Sequence, residues 1–346
     1  MQKKNKKLFW LNDSRLFAAT AIIFVHFVQN VQSTLNVSLD TVQWWTTNLY
    51  LSSTMWGVPL FVMISGSLLL SPEKQYHSAQ EFYRKRLNRL GIPILFWTLF
   101  YLGVTYAKSK ILHAPFDVET IGWEILGGRP YNHMWYLYMV FGLYLFTPYF
   151  RKISMHSSLS DIRLLVVFLF IISFLAVLTN EVNLHNSTLF IFMFPVYVSY
   201  FFAGYLITQM DTHIPIKYLL SIIVLFIVLT AVGEYMHEKY QWRISFYHNF
   251  SVTMIPLSLS IMLLIKEIHN KIFLSEKIRQ SLAQFTLGAY LIHPVLVGIV
   301  VHAHYLGLNM QNYTFIKILI LTSMIVIISL SIAYIFSKIP YLRRVV

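Results

Sequence analysis

Ten apolar segments recur along this chain, each close to the roughly 20 residues that a helix needs to cross hydrocarbon. Uncharged runs at 164–178 and 318–336 carry the signal most clearly. Lipid offers the backbone no hydrogen-bond partner, so a chain of this kind crosses as helices or as a closed barrel. The alternating ten-residue segments of barrel strands are absent. The sequence therefore predicts an all-α, polytopic membrane bundle of about ten transmembrane helices. The spans fall near 10–30, 54–71, 89–107, 132–150, 163–180, 188–209, 216–236, 248–265, 282–303 and 314–336. Composition agrees: the chain is 57% hydrophobic and 12% charged, where soluble chains run near about 45–50% and about 25%. The longest loops, near 31–53 and 108–131, are too short for a soluble domain, so a single integral domain is expected over 1–346. No inverted repeat of the transporter kind is visible.

The basic residues orient the spans. With the N-terminus in the cytoplasm, 20 of the 27 Lys and Arg fall in inside segments and 5 in outside loops. That bias satisfies the positive-inside rule and predicts both termini cytoplasmic. The formal net charge of +13 is thus a topology signal with anionic lipid as partner, and nucleic acid is not an expected partner. The Lys-rich start is not read as a cleavable signal, because Arg15 interrupts the apolar stretch and no small-residue cleavage site follows. Cysteine is absent, which excludes a Cys nucleophile, a Cys-ligated metal and disulfides. No zinc-protease helix, phosphate loop or dinucleotide fingerprint is present, and no metal is expected. Tryptophans and tyrosines at the span ends, Trp44, Trp45, Trp56, Trp97, Trp123, Trp135, Tyr136 and Trp242, read as an interfacial belt.

Several positions carry chemistry. Arg15 and His26 lie eleven residues apart in the first span. At ~100° per residue they share one stripe, about 16 Å apart along the axis. Intramembrane ionisable residues are costly and mark functional sites, although a snorkelling Arg and a packed His are the plainer reading. Asn12, Asp13 and Ser14 read as a helix N-cap cluster, with residues 8–10 as an interfacial lead-in. Before the third span, Arg84, Arg86 and Arg89 form a basic cluster in which Arg86 and Arg89 share a face. Arginine forks suit phosphate, and the alternative is an ordinary positive-inside cluster. His293 precedes Pro294, whose missing N–H frees a carbonyl and kinks the helix. His133, Trp135 and Tyr136 at the outer start of the fourth span are placed to stack on a sugar, or to sit in the belt. Ser65 and Gly66 are read as close helix packing. Glu234 and Glu238 are the carboxylates that could orient an outer-side histidine, and His302 and His304 read as interfacial.

Taken in order, these segments resemble the acyltransferase-3 family of integral membrane acyltransferases. The stretches are Arg15 to His26, 58–66, 82–90, 133–137, 202–206, 288–294 and 338–344. They resemble most the single-domain O-acyltransferases of surface polysaccharides, of the enterobacterial common antigen O-acetyltransferase and intercellular-adhesin O-succinyltransferase types. The resemblance implies transfer of an acyl group, often acetyl from acetyl-CoA, to a hydroxyl of a cell-surface or lipid-linked glycan at the bacterial plasma membrane. It implies catalytic roles for His26 and Arg15, and a role for Arg84, Arg86 and Arg89 in binding acyl-CoA. His133, Trp135, Tyr290 and His293 are then expected around the acceptor or His26. Relatives often carry Asp where this chain has Asn12, so the partner of Arg15 is left open. The rival readings are an exporter of a glycan or small molecule, and a membrane scaffold in which Arg15 and His26 are replaceable.

Overall fold

The computed structural model describes residues 9–71, 78–111, 113, 115–179, 189–211, 213–302 and 315–346. The lysines of residues 3–7, Lys74, the side chain of His302 and all of His304 lie outside the described residues. The fourteen α-helices among the described residues are α1 (Trp10–Leu35), α2 (Val42–Thr54), α3 (Gly57–Leu69), α4 (Ala79–Arg86), α5 (Ile92–Ile111), α6 (Val118–Leu126) and α7 (Trp135–His156), followed by α8 (Leu159–Leu178), α9 (Phe194–Gln209), α10 (Ile216–Tyr240), α11 (Met254–Ile268), α12 (Glu276–Ala283), α13 (Thr286–His302) and α14 (Phe315–Lys338). No strand occurs among the described residues. Six helical stretches are long and apolar enough to cross a membrane, and a seventh is added if α12 and α13, bent by 60° to one another, are one broken span.

A helix lies in each of the ten regions read as spans. Not all are full length. The 16 residues of α9 and the 15 of α11 reach only about 22–24 Å at 1.5 Å per residue. Both are packed in the interior instead. The two regions read as long loops are also partly helical. Thr41 caps α2 by accepting from Trp44 N at 3.1 Å, and Asp117 caps α6 by accepting from Glu119 N at 3.0 Å. At 13 and 9 residues each is far shorter than a membrane span, which is why a reading by span length passes over them.

The first helix is the hub. Helix α1 packs against α2, α3, α11, α12, α13 and α14. Helices α5, α8, α10 and α14 lie outside, where Leu95, Leu99, Ile172, Val224, Ile316 and Ile327 stay exposed. An apolar outer surface on helices of this length is a lipid-facing surface. The ionisable residues of α1 are thereby kept from hydrocarbon.

Small residues set the tightest crossing. A Cβ on Gly66 of α3 would lie 1.7 Å from the carbonyl oxygen of Phe201, and one on Gly204 of α9 would lie 1.9 Å from that of Met63. The two backbones are therefore in direct contact, as helices joined by small residues are in lipid. Ser67 Oγ adds a hydrogen bond to Gly204 O at 2.7 Å.

The tryptophan belt is only partly as expected. Trp45, Trp123 and Trp242 are exposed, but Trp44, Trp56 and Trp97 are buried, as is Tyr136. Each buried indole has an acceptor: Trp44 Nε1 donates to Glu238 Oε2 at 2.9 Å, Trp56 Nε1 to Ser53 O at 2.6 Å, and Trp97 Nε1 to Val345 O at 2.8 Å. A satisfied N–H removes the reason for an indole to stay at the interface.

Gly66→Ala and Gly204→Ala are each expected to lower the thermal midpoint in detergent by an overpacking cost of about 1–3 kcal/mol or more. Gly103→Ala, where an added Cβ meets nothing within 4 Å, is expected to leave it unchanged or slightly raised. Thermal unfolding of the three variants in one detergent checks this.

Candidate functional site

Helix α1 begins at Trp10, earlier than the Asn12–Ser14 cluster suggested, and no side chain caps it. Those three residues are inside the helix and do other things. Ser14 Oγ bonds back to Trp10 O at 3.1 Å. Asn12 Oδ1 accepts from Arg15 Nη1 at 3.3 Å. Asp13 is not the partner of Arg15. It is buried and paired with Arg279 of α12, whose Nη1 donates to Asp13 Oδ2. The same Nη1 also reaches His269 O at 3.1 Å, and Phe9 lies 5.3 Å beneath the guanidinium.

A cavity of about 360 Å³ opens beside this end of α1. Its walls come from α1, α3, the end of α4 and the turn after it, α7 and the bent pair α12–α13. Arg15, Arg86 and Arg89 all line it, together with the hydroxyl-bearing Ser65, Tyr136, Tyr144 and Tyr290 and the amides of Gln280 and Gln284. Among the described residues no carboxylate lines it. Three guanidinium groups with no acid among them make a site for an anion, and forked donors suit phosphate oxygens.

The basic cluster is split by the fold. After α4 the backbone widens into a π-helical turn at Leu87–Gly91, a feature common at functional sites. Arg86 and Arg89, on either side of the start of that turn, both line the cavity. Arg86 is held by rings, with its guanidinium 5.5 Å from the Phe82 centroid and 5.8 Å from that of Tyr144. Arg84 is exposed and does not line the cavity.

Beyond Tyr290 the three candidate histidines converge. Ring centroids of His26 and His293 lie 5.1 Å apart, those of His133 and His293 5.5 Å, and those of His26 and His133 6.5 Å. Tyr290 joins both regions: it lines the cavity, its ring is 5.4 Å from His133 and 5.8 Å from His293, and its hydroxyl donates to His133 O. Tyr101 closes another side, 4.9 Å from His133. His133 and His293 are fully buried, whereas His26 is half-buried. His26 is therefore the least buried of the three, and none of the three lines the cavity itself. Among the described residues no group of three or more His, Asp or Glu is placed to hold a metal ion.

Two expectations are corrected here. His133 is not on an outer face ready to stack on a sugar. It is 1% exposed and packed among His26, His293, Tyr101 and Tyr290. Trp135 next to it is half-buried against Tyr197, 6.0 Å between centroids. The reason is chain geometry: Met134 N bonds Tyr131 O at 2.9 Å, and this turn folds His133 inward before α7 begins. The carboxylates Glu234 and Glu238 orient no histidine of the cluster. Glu234 accepts from Ser245 Oγ at 2.9 Å and Phe246 N at 2.7 Å, and Glu238 accepts from Trp44.

Sequence reasoning passed over Tyr144, Gln280, Gln284 and the Asp13–Arg279 pair. Tyr144 is one of 22 tyrosines, and nothing local distinguishes it. Asp13 and Arg279 are 266 residues apart, so only the tertiary fold joins them. A lone acid at the start of an apolar span is the one signal that points to a hidden cation.

The family model described as an acyltransferase domain matches residues 8–337. No curated protein and no solved structure matches the chain significantly. The apolar helices and this match together give a membrane acyltransferase. The chain belongs to the acyltransferase-3 family.

Breaking a buried ion pair from one side leaves an uncompensated charge and costs about 3–5 kcal/mol. Arg279→Met and Asp13→Leu are each expected to destabilise the protein on that scale. The double variant is expected to be more stable than either single variant. Thermal midpoints of the three in detergent check this.

Proposed function

We propose that the protein transfers an acyl group, most simply acetyl, from acyl-CoA to a hydroxyl of a cell-surface polysaccharide or lipid-linked sugar. The observation that carries this reading is the acid-free cavity holding Arg15, Arg86 and Arg89, joined through Tyr290 to a histidine cluster. A donor with phosphates at one end and a reactive thioester at the other has that same polarity. In this reading Arg86 and Arg89 hold donor phosphates, and Arg15 guides the pantetheine arm or meets the negative charge that develops on the thioester oxygen. Arg84, exposed outside the cavity, is the weakest contributor and serves lipid phosphates. Gln280 and Gln284 supply amide partners for the arm.

His26 is the general base. Imidazole titrates near neutrality in water and is the side chain best suited to take a hydroxyl proton. His133 and His293 surround it instead of meeting the acceptor sugar directly. Transient acylation of His26 is the alternative route through the same residue.

Helices in all ten expected regions support ten membrane passages within one integral domain, with the shorter helices buried by the longer ones. The inside bias of Lys and Arg supports cytoplasmic termini in a bacterial plasma membrane. The cavity with Arg86 and Arg89 then opens to the cytoplasm, where acyl-CoA is made.

His26→Ala is expected to lower transfer of label from acetyl-CoA to glycan by about 10²–10⁴-fold at unchanged protein level. Arg86→Gln and Arg89→Gln are expected to raise KM for acetyl-CoA by about tenfold or more, on the scale of a charge-assisted hydrogen bond. Arg84→Gln should change it by less than about threefold. Membranes that show no acyl-CoA turnover with either acetyl or succinyl donor, yet export glycan, would replace this reading with transport.

A further inference from the structure

A helix residue normally bonds its N–H to the carbonyl four positions back, and proline has no N–H to give. For Pro294 that carbonyl belongs to Tyr290. It does not stay empty: His293 Nδ1 lies 2.6 Å from Tyr290 O. A carbonyl only accepts, so the proton of that bond is on Nδ1. The neutral ring then carries its lone pair on Nε2. That atom is fully buried and has no hydrogen-bond partner among the described residues. It belongs to the ring nearest to His26, 5.1 Å between centroids. His133 is farther from His26, at 6.5 Å, and among the described residues neither of its nitrogens has a partner to select a tautomer.

A general-base histidine must offer a lone pair to the acceptor hydroxyl at one nitrogen and place its N–H at the other. The partner for that N–H is usually a carboxylate or carbonyl, but among the described residues no ion pair joins a carboxylate to His26. We infer that His293 is the positioning residue of His26: Pro294 and the Tyr290 carbonyl fix its lone pair on Nε2, and that lone pair, unpaired in this geometry, accepts the His26 N–H once the neighbouring ring turns toward it. The inference rests on the reading of His26 as the base. In the transfer, the free nitrogen of His26 takes the proton of the acceptor hydroxyl as its oxygen bonds to the acyl carbon. The carbon–sulfur bond breaks, and the proton passes from His26 to the CoA thiolate. His293 stays neutral throughout and holds the imidazolium ring in place.

Three variants of the full chain in nanodiscs test this, with acetyl-CoA turnover and thermal midpoint measured on each. His293→Leu is expected to lower kcat by about 10–100-fold, the usual effect of losing an orienting partner, with KM for acetyl-CoA nearly unchanged. His293→Gln places a carbonyl oxygen near the former Nε2 and is expected to recover a large part of that loss. Pro294→Ala returns an N–H that competes for the Tyr290 carbonyl and releases the tautomer. It is expected to lower kcat several-fold while thermal stability holds or rises, since alanine suits a helix better than proline. A structural role alone predicts the opposite pattern: His293→Gln no better than His293→Leu, and Pro294→Ala fully active. That pattern would overturn the inference. If the wild type turns over no acyl-CoA, the functional reading fails, and nitrogen-15 histidine NMR of the same protein still decides the hydrogen bond. An Nδ1-protonated His293 whose Nε2 signal changes in His26→Leu supports the bond. An Nε2-protonated His293, or no change in that signal, refutes it.

Discussion

A helix carrying Asp13, Arg15 and His26 is too costly to present to hydrocarbon, and most of this structure follows from hiding it. Burial of α1 needs neighbours on every side, and α2, α3, α11, α12, α13 and α14 supply them. The most apolar helices are left to face lipid, which costs them nothing. The charged helix becomes the axis, and the functional groups are placed at its two levels because they arrive there with it. Arg15 opens onto the cavity near one end, and His26 meets the other two histidines three turns further on.

Bringing neighbours that close depends on residues with little or no side chain. Gly66 and Gly204 bring α3 and α9 into backbone contact, and α3 supplies Ser65 to the cavity wall. The buried Asp13–Arg279 pair acts at the other end. It ties the short amphipathic α12 to α1 and so places Gln280 and Gln284 over the cavity. Such a pair contributes little net stability when intact, since desolvation offsets attraction. Its effect here is on register, since the pair fixes α12 where Arg279 reaches Asp13.

The histidine cluster shows how a local backbone rule reaches into chemistry. Proline at 294 frees one carbonyl, and the adjacent histidine takes it. The bend between α12 and α13, by contrast, falls between Ala283 and Thr286 and not at the proline. Pro294 therefore does less to the path of the helix than its kink-forming reputation suggests, and more to the tautomer of its neighbour.

The helical class, the membrane setting and the Arg15–His26 stripe were legible in the sequence, because hydrophobic length and the 3.6-residue period are local properties. So was the pairing of Arg86 with Arg89, though not the exclusion of Arg84, which depends on which wall the π-helical turn faces. Helix α2 was hidden because its 13 residues fall short of a span. His133 was misread as exposed because Trp135 and Tyr136 follow two and three residues later, and aromatic residues suit interface and core alike. Glu238 was misread because its partner, Trp44, lies 194 residues away. Sequence alone determined that the chain is helical and apolar enough for a membrane and which residues are too polar to face lipid, since transfer from water to lipid acts on each segment by itself. Only the tertiary structure decided which of those polar residues meet, because contact between α1, α7 and α13 depends on how helices distant in the chain pack around one another.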